Sequence, residues 1–189
     1  MKMLGITFDS KLTYEPHLRL VASSISQRIG LLRKCRHIYS TDSVIRNCFY
    51  SFLLPHFEYC HSIFLSASDT NLKLLDRAFG QIKFLLPDLR INLGHRRLVG
   101  SMTHFYKIAT NPDHPLHCLL PPPSQPTRET RHSMRLNGRA FSVARVNTSQ
   151  FSRTFFPAAI KRWNYLPDEI VNSMNSDTFK RGVNAHFLS

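Results

Sequence analysis

The sequence predicts a mainly α fold: a helical bundle preceded by one short β-strand and followed by a proline-rich connector and a small basic module. Three observations predict it. Apolar residues recur at three- and four-residue steps through most of the first 110 positions, the period of helices that bury one face. Only one stretch near the start alternates with the period of a strand. Six of the eleven prolines fall within residues 111–126, which divides the bundle from the C-terminal segment.

In chain order, Leu4, Ile6 and Phe8 alternate with Gly5, Thr7 and Asp9, as in a half-buried strand with few residues before it to pair with. Ser10 and Lys11 turn the chain. Pro16 suits the first turn of a helix, where a missing N–H does no harm. Leu18, Val21, Ala22, Ile25, Ile29 and Leu32 then make one apolar stripe running to about Cys35, with Arg19 and Lys34 opposite and Arg28 and Arg33 flanking it. Ser40, Thr41 and Asp42 are capping residues for a second helix. Its broad apolar face comprises Val44, Ile45, Cys48, Phe49, Phe52 and Leu53, and Pro55 should kink or end it. "HFEYCHSIFL" continues as a further helical piece. "SASD" caps a helix bearing Leu72, Leu75, Phe79, Ile82 and Leu86, closed by Pro87. Another begins after Gly94, with Leu98, Met102, Phe105 and Ala109 on one side.

These elements give segments 1–12 (strand), 13–110 (bundle), 111–126 (connector) and 127–189 (basic C-terminal module). The connector reads equally as an ordered loop. In the last segment Asn137-Gly138 is a hairpin-turn dipeptide and "RAFSVARV" after it reads as a strand. "PAAIKRWNYLPDEIV" suggests a short helix, a break at Pro167 and a second turn. "SDTFKRGVNAHF" suggests a last helix with Phe179, Val183 and Phe187 on one side.

The charge is the strongest functional signal. There are 25 Lys plus Arg against 12 Asp plus Glu, so even complete internal pairing would leave 25 − 12 = 13 cations over. Such a surplus favours polyanions, nucleic acid first and anionic membrane second. Arg128, Arg131, Arg135, Arg139 and Arg145 accumulate in the last segment, with Phe141, Phe151, Phe155, Phe156 and Trp163 interleaved. Arginine forks match phosphate oxygens and rings stack on bases, a combination that suits single-stranded or hybrid nucleic acid. Arg28, Arg33, Lys34 and Arg36 offer a second basic set. A solvated basic face around a small aromatic core is the plainer alternative.

Catalytic patterns do not accompany this charge. The chain has no glycine-rich phosphate loop, no HExxH and no GxSxG. Asp168-Glu169 follows a proline at a helix start, where acids favour the helix dipole. His56, Cys60 and His61, and separately His114, His117 and Cys118, do not supply the paired spacings of a zinc site, so neither metal nor other cofactor is expected. The four cysteines form no CxxC and read as free thiols of a reducing compartment. No apolar run is long enough for a membrane span, and no signal peptide is recognisable. An intracellular location, nuclear or cytoplasmic, is therefore expected.

Taken in order, "LGITFDSKLTYEPHL", "ISQRIGLLRKC", "FYSFLLPHFEYC" and "LKLLDRA…IKFLLPDL" resemble the region after the polymerase palm in reverse transcriptases of non-LTR retrotransposons, the jockey-like kind in particular. "TRHSMR…AR…FSRTFFPAAIKRWNYLPDEIV…TFK" is similar to the C-terminal tail of the same proteins. Phe64 stands where that family often has Trp. The resemblance implies that Leu4 to Lys11 correspond to the primer-grip side, that 13–110 form the thumb holding an RNA or DNA template–primer, and that the parent polymerase's palm and fingers are partners. It also implies that catalysis is elsewhere. The family's two metal ions are held by a Tyr-x-Asp-Asp turn and an earlier aspartate, and this sequence contains no Asp-Asp pair. No autonomous DNA synthesis is expected. The alternative is a helical interaction module or remnant with no nucleic-acid role.

Overall fold

The structure, a computed structural model, describes residues 1–38, 41–64, 67–125, 136–143 and 147–188. It is mainly helical and divides into two compact units, Met1–Leu93 and Gly94–Ser189.

The first unit opens with a hairpin of β1 (Lys2–Met3) and β2 (Ile6–Thr7), paired antiparallel with Met3 opposite Ile6. The three residues before Leu4 thus supply the partner that the sequence lacked room for. Leu4 and Gly5 both take positive φ (47° and 81°), the two-residue turn whose twist matches that of the strands. This corrects the expected alternation: Leu4 is 82% exposed at the turn, and only Ile6 of the three is fully buried. Asp9 then organises the way into the first helix. Its carboxylate accepts from the Thr13 and Tyr14 amides at 3.0 and 2.8 Å and from the Thr13 hydroxyl at 2.9 Å.

Helix α1 (Glu15–Ile38) runs slightly past the expected end. Leu18, Ile25, Ile29 and Leu32 of its stripe are buried, with Val21 and Ala22 packed at the margin. Helix α2 (Asp42–Cys48) passes into a π-helical turn, Phe49–Leu53, and then α3 (Leu54–Glu58). The reason is Pro55, in the first turn of α3: it has no N–H to donate and its ring crowds the carbonyl one turn back, so the helix widens before it. The widened turn carries Phe52 off the buried side. Ile45, Phe49 and Leu53 are buried as expected, whereas Phe52 and Val44 are exposed.

The next expected helical piece is interrupted at Cys60, which sits at φ 56° between α3 and α4 (His61–Phe64). Helix α5 (Asp69–Leu85) is capped by the Ser68 hydroxyl, which accepts from the Asn71 amide at 3.3 Å. Its Leu75, Phe79 and Ile82 are buried against α1, and Phe57 meets Phe79 edge-on at 5.7 Å. The two long helices lie parallel. Asn71 near the start of α5 donates to the Thr13 carbonyl just before α1, and Arg36 near the end of α1 donates to the Leu85 carbonyl at the end of α5.

The second unit is built on α6 (Leu93–Thr110), α7 (Ser149–Ser152), α8 (Phe155–Trp163), α9 (Asp168–Val171) and α10 (Ser176–His186). The boundary differs from the expected bundle of 13–110. From Val99 onwards the stripe of α6 packs with the C-terminal helices. Phe105 and Trp163 meet at 5.3 Å, Trp163 and Phe179 at 5.8 Å, and Tyr106 stacks on Phe179 at 4.4 Å. The aromatics of the C-terminal segment need apolar surface to bury against, and α6 supplies it.

The described part of the proline-rich stretch, residues 111–125, is an ordered loop on this unit. His117 Nδ1 donates to the Ile108 carbonyl at 2.8 Å, Ser124 N donates to the Ala140 carbonyl at 2.7 Å, and Ser142 N to the Pro122 carbonyl at 2.9 Å. Among the described residues Asn137-Gly138 closes no hairpin, and "RAFSVARV" forms only an isolated bridge between Phe141 and Pro123. Asn137 is buried instead. Its side-chain amide donates to the carbonyls of Trp163 and Leu166, and its oxygen accepts from the Arg139 amide at 3.0 Å. The backbone still turns here, the Ala140 amide donating to the Asn137 carbonyl at 3.1 Å, and the Asn137 side chain ties that turn to the end of α8.

Candidate nucleic-acid interface

The basic residues singled out on α1 do not form one set. Arg33 and Lys34 are exposed. Arg36 is half-buried and occupied, donating to the Leu85 carbonyl and to the Asp42 carboxylate at 3.2 Å. Arg28 is half-buried as well, and its Nη1 is enclosed without a hydrogen-bond partner. A cation so placed is a poor match for a duplex backbone, which is met from solvent. Arg139 is exposed, with its own amide and carbonyl engaged by Asn137 and by the Trp163 indole. Arg128, Arg131, Arg135 and Arg145 lie outside the described residues.

The aromatic half of the expectation is corrected. Trp163 is only 1% exposed, and Phe141, Phe155 and Phe156 pack around Phe105. Of the five rings interleaved with the arginines, Phe151 alone is exposed. Trp163 belongs to the core of the second unit, and Phe141, Phe155 and Phe156 pack half-buried against that core.

A different grouping emerges in the first unit. The parallel arrangement of α1 and α5 brings their C-terminal ends together. Arg33 and Lys34 occupy this end of α1, and Lys83 and Phe84 this end of α5. Lys83 lies 5.6 Å from the Phe79 ring centre, and Phe84 is 84% exposed. Further back along α5, Lys73 and Arg77 are exposed one turn apart on its polar side. Cations in the last turns complement the helix dipoles, so part of this grouping has a structural reason. An apolar ring left in water does not.

Lys83 and Phe84 are easily overlooked in the sequence because they stand beside a strong apolar stripe. The usable signal is their phase: residue 84 falls about 200° around the helix from residue 82, outside the buried arc. The exposed basic pairs Lys161-Arg162 on α8 and Lys180-Arg181 on α10 are hidden for the same reason.

Among the described residues no group of three His, Cys, Asp or Glu is placed to hold a metal ion, and no helix is long and apolar enough to cross a membrane. The four cysteines are free thiols, with Cys118 exposed and the others half-buried. Set against protein-family models, curated proteins and solved structures, the chain finds no match in any of the three.

Proposed function

We propose that the chain grips nucleic acid by its phosphates and an unstacked base, without catalysing synthesis, as the region after the palm of a non-LTR reverse transcriptase would. The observation that carries this reading is the exposed Phe84 beside Lys83, at the same end of the helix pair as Arg33 and Lys34. Such a site offers charge for the backbone and a ring for stacking. The surplus of thirteen cations over anions supports it.

The test is fluorescence anisotropy on an RNA–DNA hybrid with a single-stranded overhang. With about four phosphate contacts, affinity should fall roughly fifty- to a hundred-and-fifty-fold between 50 and 200 mM salt. Replacing Arg33, Lys34 and Lys83 together by Gln should lower the logarithmic salt slope by about two to three units. Affinity that does not change with salt rules the reading out.

A second reading has its own observation. Leu20, Leu31, Ile38 and Phe52 of the first unit are all more than 60% exposed, which suits a protein partner better than a polyanion. That reading predicts hybrid binding no stronger than that of an unrelated protein of equal net charge.

A further inference from the structure

A cleft of about 330 Å³ lies in the first unit between the hairpin, α1 and the α3–α4 segment. Its size is at the lower end of small-molecule sites, about 300 to 1,000 Å³. From α1 it is lined by His17, Val21 and Ser24, residues three and four apart on one side of the helix. Lys2 and Thr7 close it from the hairpin, and His56, Tyr59 and Phe64 from the far side.

His17 is the informative group. It is 5% exposed and stacked on Phe64, with ring centres 6.4 Å apart and planes 24° from parallel. Its Nδ1 accepts from the Thr7 amide at 3.5 Å, which puts the ring proton on Nε2. Burial, and then the nearby Lys2 charge, hold its pKa below the usual histidine value, so the ring is neutral and Nε2–H is a donor. That donor is enclosed and has no acceptor. A buried donor left unmet is costly, and His17 lines the cleft, so an acceptor admitted there can relieve that cost once the ring shifts to expose Nε2. Lys2, Thr7 and Ser24 add further donors, and no carboxylate lines the cleft.

The same side of α1 continues to Arg28, one turn beyond Ser24, whose enclosed Nη1 also has no partner. Burial first, and then the Arg28 charge, depress the pKa of His56 on the opposite wall. The remaining surface is flat or apolar: Leu20, Val21 and the Phe64 and Tyr59 rings.

We propose that this cleft binds a small organic anion, an oxyanion carried on a flat apolar ring, with His17 Nε2 donating to the oxyanion and Phe64 and Val21 holding the ring. A cation would meet the Lys2 ammonium and no carboxylate there. An uncharged apolar ligand would leave Nε2–H as it is.

The probe is phenyl phosphate, titrated into the full chain at physiological salt and followed by calorimetry and by the His17 ring signals in NMR. It should bind saturably, shift those signals, and bind at least about tenfold more tightly than inorganic phosphate or phenol, since a hydrogen bond to a charged acceptor in a buried site is worth a factor of that order. His17→Phe keeps the stacked ring and removes the donor, and should weaken binding by a similar factor. Ser24→Leu fills the cleft from a half-buried position and should block binding while leaving helix content unchanged, which preserves the test if His17→Phe does not fold. Binding indifferent to both substitutions would be plain attraction to a basic chain and would overturn the proposal. So would inorganic phosphate or phenol binding as well as phenyl phosphate, or no saturable binding at millimolar concentration.

Discussion

Asn164→Ala removes a side chain that substitutes for a strand. Asn164 is 1% exposed, at the end of α8. Its Oδ1 accepts from the Phe141 amide at 2.9 Å and its Nδ2 donates to the Phe141 carbonyl at 2.7 Å. These are the two bonds a neighbouring strand would make, and they tie the loop carrying Phe141 to the aromatic core. Alanine would leave both backbone groups of Phe141 without that partner. Each lost bond is worth about 1 kcal/mol net, and each stranded group adds up to about 1–3 kcal/mol. Phe141 is half-buried, so water recovers part of this, and the expected loss is about 2–3 kcal/mol.

Trp163 is the only tryptophan and is buried in the second unit, so its fluorescence reports that unit's unfolding. With a urea dependence of about 1 kcal/mol/M for a unit of this size, the midpoint should fall by about 2–3 M at unchanged slope. Asn164→Asp, of equal shape, retains the acceptor but sets a carboxylate against the Phe141 carbonyl, and should be no more stable than the alanine variant at neutral pH. A midpoint change in Asn164→Ala equivalent to less than about 0.5 kcal/mol, the usual effect of a surface change, would show that the two bonds do not hold the loop.

Leu4 occupies a left-handed turn position that favours Asn, and its side chain is in water, so Leu4→Asn should raise the first unit's stability by about 0.5–1 kcal/mol in thermal unfolding. Phe57→Ala, at a fully buried site against Phe79, should cost about 3–5 kcal/mol by denaturant titration. Phe84→Ser should change stability by less than about 0.5 kcal/mol yet weaken single-strand binding by roughly five- to a hundredfold in anisotropy. Burial pushes the Asp9 carboxyl up, but hydrogen bonds from Thr13 and Tyr14 outweigh it and hold it below its ordinary value. A depressed carboxyl pKa stabilises the fold above the unfolded value of about 3.9, and that stability is lost as pH falls through the folded value. Asp9→Asn should flatten acid unfolding in this window; an unaltered acid limb would show that Asp9 contributes nothing there.

What could be read from sequence was what depends on period. The α1 and α5 stripes, the Ser68 cap and the stop at Pro87 are local signals, and the structure keeps all of them. What could not be read depends on long-range choice. The stripe on α6 is the same whichever core it joins, so its pairing with Trp163 and Phe179 was hidden. Asn137-Gly138 reads as a turn and the chain does turn there, but nothing local foretells that the carbonyls of Trp163 and Leu166, far along the chain, hold the Asn137 side chain. For the site, basic residues are legible as a count and not as a face. Arg28 and Arg33 look alike in sequence, and only packing turns one inward.

The two cores close at different times during synthesis. The first is complete once Leu93 has left the ribosome. The second waits for Phe179 and Val183, because Tyr106 and Trp163 both make ring contacts with Phe179 of the last helix. At about 5–20 residues per second, Tyr106 remains without its Phe179 partner for roughly 4–15 seconds. Over that interval the nascent chain carries one finished unit and one adhesive one. A chaperone that binds exposed aromatic segments should therefore associate with the α6 region during translation and leave once α10 emerges.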